Sequence, residues 1–142
     1  FVNMVLSVAE HLGGRPHAVE IHPGGRHNSF DDLKRAVEKI ILGFHRRFGL
    51  MPLVLLENRT GQFISDGKQI AALWSSLSSY EHRERFGIVL DVQQLYTQTR
   101  EAFSEELKYI PLVSLKGFHI HRLHRAPDGS DEPRRSEDDV PP

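Results

Sequence analysis

Four apolar runs in this chain stop on residues that can hold a metal ion. AVEIHPGG (18–25) stops at His22, and PLVLLENRTGQ (52–62) stops at Glu57 and Asn58. FGIVLDVQQ (86–94) stops at Asp91, and KGFHIHR (116–122) stops at His119 and His121. The chain has no cysteine, so imidazole nitrogen and carboxylate oxygen are its metal donors. A short, continuous apolar run is the pattern of a parallel strand covered on both faces. In parallel α/β sheets and barrels, sites form at the carboxyl ends of the strands. Four such endings in succession predict one shared site for a divalent metal, with His22, Glu57, Asp91 and His119 as ligands.

The elements that must position these residues alternate. A helical face over Phe1–Leu12 ends at Gly13-Gly14, and the first strand is predicted over Ala18–His22. Ser29 with Asp32 three residues on is a capping-box pattern, opening a helix that runs to about Phe48 and stops at Gly49. Leu33, Ala36, Val37, Ile40, Ile41 and Phe44 fall at helical spacing and should face the sheet. The second strand is Leu53–Glu57, and Ser65 or Asp66 caps a helix from Lys68 to about Ser78, with Trp74 on its apolar side. The third strand is Phe86–Asp91. Thr97 or Thr99 is the expected cap of a helix through Glu101–Tyr109, and the fourth strand is Gly117–His121. Strands alternating with helices give a parallel sheet with right-handed crossovers. The fold class is therefore α/β, over residues 1–125. Residues 126–142, rich in proline and charge and without periodicity, read as a disordered or linker tail.

With 142 residues, the expectation is a single domain with a sizeable core. Hydrophobic residues make up 39% and charged residues 26%, the balance of an ordinary soluble protein. A net charge of −1 gives no whole-chain footprint for nucleic acid, although a local basic rim is compatible with it. No apolar run is long enough to span a bilayer, and the N-terminus lacks the basic start and small-residue cleavage site of a signal peptide. A cytoplasmic location and no membrane partner are expected.

IHPGG, LLENRTGQ, GIVLDVQQLY and KGFHIH, in that order and at those spacings, resemble the endonuclease IV family of apurinic/apyrimidinic endonucleases and, more broadly, the xylose-isomerase-like barrels. The resemblance runs from about Val2 to His121, and Glu-Asn-x-x-Gly-Gln (57–62) is its most specific piece. It implies a TIM-barrel-type (β/α) sheet with zinc at the carboxyl mouth, manganese being the second choice, and hydrolysis of a phosphodiester in abasic or damaged DNA. By position, His22 matches the histidine ligand of the His-Pro-Gly strand. Glu57 matches the bridging, catalytic carboxylate, Asp91 the aspartate ligand and His119 the histidine of the Gly-x-His strand. Asn58, Gln62, Gln94, His121 and Arg122 fall where neighbouring or substrate-contacting residues stand.

Departures accompany the match. Gln94 occupies a histidine ligand position, and His121-Arg122 stand where the family tends to have Asn-Asp. A complete barrel takes about 250 residues, whereas this chain offers about four β/α units. An incomplete barrel or a barrel fragment is expected, with self-association available to cover the open sheet edges. The other readings are a sugar isomerase or epimerase, with one metal on Glu57, Asp91 and His119, and a barrel relative without activity. The isomerase needs a general base at a further strand end, and neither a lysine nor a glutamate is evident there. Arg26, Arg59, Arg122 and Arg125 follow strand ends and would form a positive rim for phosphate.

Overall fold

The computed structural model describes residues 2–120. His121, Arg122 and the tail predicted over 126–142 lie outside the described residues. The chain runs α1 (Val2–His11), β1 (Ala18–Ile21), α2 (Phe30–Phe48), β2 (Leu53–Glu57), α3 (Gly67–Ser76), β3 (Phe86–Asp91), α4 (Val92–Thr99), α5 (Phe103–Tyr109) and β4 (Leu115–His119). The four strands form one parallel sheet in the order β1-β2-β3-β4. Each strand pairs with the next in sequence, and β1 and β4 are its edges. This is the α/β alternation read from the sequence, as a four-stranded parallel sheet.

Strand alternation sorts residues onto two faces. Val19, Ile21, Val54, Leu56, Phe86, Ile88 and Leu90 form one core cluster with the helical residues Leu33, Val37, Ile40, Ile41, Phe44, Ile70, Leu73 and Leu95. Complete burial of such a side chain contributes about 1.5–3 kcal/mol, so this layer carries the fold. The register puts Glu20 beside Leu55, Leu55 beside Gly87 and Asp91 beside His119, on the opposite face. The sequence reading expected strands covered on both faces. Among the described residues helices cover one face, and the other carries the polar strand ends.

Local rules account for the helices. Ser29 accepts from the Asp32 N–H at 3.1 Å, and Asp32 accepts in return from the Ser29 N–H at 2.9 Å, the predicted capping box. Gly49 closes α2 in the left-handed region, with φ 69°. Asp66, rather than Ser65, caps α3 by accepting from the Gln69 N–H at 2.8 Å. Gly67 follows it, and a Cβ there would meet the Glu106 carbonyl oxygen at 1.9 Å. The loop expected after Asp91 is instead a helix. Asp91 caps α4 directly, accepting from the Gln94 N–H at 2.9 Å, and Arg100, at φ 48°, separates α4 from the short turn leading to α5.

The last strand begins two residues earlier than its predicted start at Gly117. Its pairing with β3 steps from Ile88–Leu115 to Val89–Gly117, leaving Lys116 as an extra residue. A bulge of this kind exchanges the two faces of a strand beyond it. His119, and not Phe118, therefore lies beside Asp91 on the polar face.

Candidate metal centre

Glu57 is the centre of the polar face, with its side chain 6% exposed. Its two oxygens are divided between neighbours. Oε2 lies 3.2 Å from His22 Nε2. Oε1 lies 3.5 Å from Arg59 Nη1 and 3.8 Å from His119 Nδ1. From the far side of the sheet, His119 Nε2 reaches Glu20 Oε2 at 3.5 Å. β1 and β4 are three strand spacings apart, ~14 Å along a flat sheet, so Glu20 and His119 meet by leaning inward over β2 and β3.

Burial holds the Glu57 carboxyl above the ordinary glutamate range. Arg59 opposes that rise, a hydrogen bond with the Glu20 side chain adds to it, His22 opposes it, and a hydrogen bond with Asp91 adds again. Three carboxyl groups, from Glu20, Glu57 and Asp91, thus crowd one place, a concentration of acidic oxygens that suits a cation.

One ligand atom each from Glu20, Glu57 and His119 lie within 4.8 Å of one another, so this triad could hold a metal ion. Carboxylate and imidazole suit zinc, which bonds them at about 2.0–2.2 Å, and such ligands stand about 3.4 Å apart around a tetrahedral ion. The 3.5 and 3.8 Å contacts of His119 are already near that spacing. The His119 ring as placed spans the two glutamates, whereas an ion would take one of its nitrogens.

The four predicted ligands come to one end of the sheet, but they are not equivalent. Glu57 and His119 belong to the triad. His22 is beside Glu57 outside it, with its side chain 52% exposed. Asp91 is buried, caps α4 and joins Glu57 through its side chain. Glu20 is the member that the sequence reading missed. It sits two residues before His22 in a strand, hence on the same face, and that spacing was its available signal.

The companions of the motif hold the site's frame. Asn58, wholly buried, donates from Nδ2 to the Asp91 carbonyl at 3.1 Å and accepts at Oδ1 from the Asp91 N–H at 2.8 Å. Gln94 accepts from the Thr60 N–H at 2.9 Å, and its own carbonyl accepts from the Thr60 hydroxyl at 2.9 Å. Gln94 thus ties the loop after β2 to α4. Gln62 lines a cavity of about 470 Å³ with Arg26, Phe30, Phe63 and Gln98. Arg26 donates from Nε to the Gly61 carbonyl at 2.9 Å and pins the same loop.

No protein family matches the chain, and no curated protein matches it. Among the described residues, no helix is long and apolar enough to cross a membrane.

Proposed function

We propose that the chain is a metal-dependent phosphodiesterase acting on abasic or damaged DNA, with zinc as its first metal and manganese as the second choice. One observation carries this reading. Three parallel strands, β1, β2 and β4, bring one ligand atom each of Glu20, Glu57 and His119 within 4.8 Å of one another, with His22 and Arg59 on the Glu57 carboxylate. The resemblance of IHPGG, LLENRTGQ and KGFHIH to the endonuclease IV family supports the choice of substrate.

A divalent cation bound at the triad supplies electrophilic activation of a phosphate and of water. The remaining tasks fall to the chain's own groups. Glu57, buried at the centre of the site, would hold the ion through one oxygen and present the other to take a proton from attacking water. Arg59 neutralises a non-bridging phosphate oxygen, as guanidinium groups do. His22, half exposed beside Glu57, orients the incoming phosphodiester at the rim. Asn58 and Gln94 keep the strand ends and the Arg59 loop in place.

The test is cleavage of a duplex oligonucleotide carrying one abasic site, with zinc or manganese and with chelator. Metal-dependent cleavage that Glu57→Gln abolishes is the expected result. Absence of cleavage by a chain shown to carry its metal overturns the reading. DNA binding should also weaken steeply as salt rises, because lysine and arginine contacts to phosphate release counterions.

A further inference from the structure

Arg59 stands where a second cation would stand. Its Nη1 lies 3.3 Å from His22 Nε2 and 3.5 Å from Glu57 Oε1. An ion bound to both of these groups would sit about 2.0–2.2 Å from each, in the space that the guanidinium approaches. Arginine stays charged at every accessible pH, so this positive charge is permanent. It is also held by backbone. The Arg59 N–H donates to the Ile64 carbonyl at 3.0 Å, and the Arg59 carbonyl accepts from the Gln62 N–H at 3.1 Å.

We propose that the site takes one divalent cation, on Glu20, Glu57 and His119, and that the Arg59 guanidinium is the fixed second positive charge beside His22. The assignment rests on the metal-dependent reading above and goes further by setting the number of ions and naming the residue that replaces one.

Charge and hydrogen bonding both favour the arrangement. The carboxylates of Glu20, Glu57 and Asp91 balance one dication and one guanidinium, whereas a second dication would leave excess positive charge in a half-buried site. His22 Nε2 lies within reach of an acceptor on Glu57 and a donor on Arg59, and one nitrogen cannot serve both. With the Glu57 carboxylate committed to the ion, Nε2 is left to accept from Arg59. His22 is then a positioning residue for the guanidinium and not a metal ligand. An ion and a fixed guanidinium side by side on one carboxylate can hold two oxygens of the same phosphate, one on each.

The test is equilibrium dialysis of the full chain against zinc alone, and separately manganese alone, with elemental analysis and titration calorimetry. Wild type is compared with Glu20→Gln, His22→Ala and Arg59→Met, each confirmed folded by circular dichroism. The expected stoichiometry is one ion per wild-type chain. Glu20→Gln should weaken it at least tenfold, and His22→Ala should change it less than threefold. Arg59→Met should bind the ion more tightly, because a neighbouring positive charge has gone. Two ions per wild-type chain overturn this assignment and leave the metal-dependent reading standing. So does one ion that survives Glu20→Gln but not His22→Ala, or an affinity that Arg59→Met leaves unchanged or lowers. No ion in wild type overturns both.

Discussion

The Asn58 side chain continues the β2–β3 ladder beyond its last strand pair by exchanging two hydrogen bonds with the backbone of Asp91. It acts as a strand residue through its amide, and it fixes the backbone of Asp91, whose own side chain starts α4 and contacts Glu57. Asn58→Ala orphans a buried N–H and a buried carbonyl, at about 1–3 kcal/mol each. Asn58→Asp keeps the acceptor but buries a carboxylate against the Asp91 carbonyl oxygen, so its loss at neutral pH should be at least as large. Urea unfolding of both variants checks the order, and a clearly smaller loss for Asn58→Asp would show that the acceptor half of the pair carries most of the stability.

The raised pKa of Glu57 gives a pH dependence with a definite sign. A carboxyl whose folded pKa lies above its unfolded value binds more protons when folded. Its contribution to stability is complete below the unfolded glutamate value and is lost as pH rises through the folded value. Without metal, wild type should therefore lose stability on going from pH 4 to pH 8 relative to Glu57→Gln. Urea midpoints across that range in chelator test this, and parallel curves for the two proteins would contradict it. Added zinc should raise the wild-type melting temperature and leave that of Glu57→Gln unchanged.

Gly67→Ala should be among the most damaging single-methyl changes. The new Cβ would lie 1.9 Å from the Glu106 carbonyl oxygen, at the contact between the start of α3 and α5. Overpacking of this kind costs about 1–3 kcal/mol or more. Thermal melting gives the value, and an unchanged melting temperature would mean that α5 shifts freely.

Tyr80 buries its hydroxyl oxygen without a hydrogen-bond partner among the described residues. Burial first, then the charges of Glu38, Glu81 and Glu84, push its pKa up to about 12. Because this value exceeds that of an unfolded tyrosine, the stability it carries is complete below about pH 10 and falls as pH rises towards about 12. Tyr80→Phe should be as stable as wild type at pH 8, or more so by about 1 kcal/mol. Between pH 10 and 12 the variant should lose less stability than wild type. Urea titrations at pH 8 and pH 11 compare the two.

Deletion of Lys116 removes the extra residue of the bulge and lets Gly117, Phe118 and His119 follow Leu115 in an unbroken ladder opposite Val89, Leu90 and Asp91. His119 then stays beside Asp91. The expected outcome is a folded chain by circular dichroism whose zinc affinity is close to that of wild type. A large loss of affinity would show that the bulge itself sets the angle at which His119 reaches the triad.

The placing of Glu57, Asp91 and His119 was legible because each ends an apolar run, where a lone carboxylate or imidazole is hard to explain as core. The α2 boundaries were equally legible, since Ser29, Asp32 and Gly49 follow local rules of capping that need no tertiary information. Glu20 was hidden inside AVEI, which reads as part of an apolar strand until the two faces are separated. The role of Gln94 was hidden too. Its partner is Thr60, and no local pattern announces a bond between two loops. α4 went unseen because Asp91, counted as a ligand, also serves as a helix cap.

The unbroken strand order also sets a schedule for assembly. His22–Glu57, Arg26–Gly61, Asn58–Asp91, Thr60–Gln94 and Lys68–Glu106 join residues 35, 35, 33, 34 and 38 positions apart. Each link closes as soon as the following unit exists, and chains are made from the N-terminus. The Glu20–His119 contact instead runs from the first strand to the last. A nascent chain on the ribosome would build the His22–Glu57–Arg59 corner early and complete the triad only when β4 is added. Metal capture would then mark the end of synthesis of this sheet, and truncated products would carry the arginine without the ion.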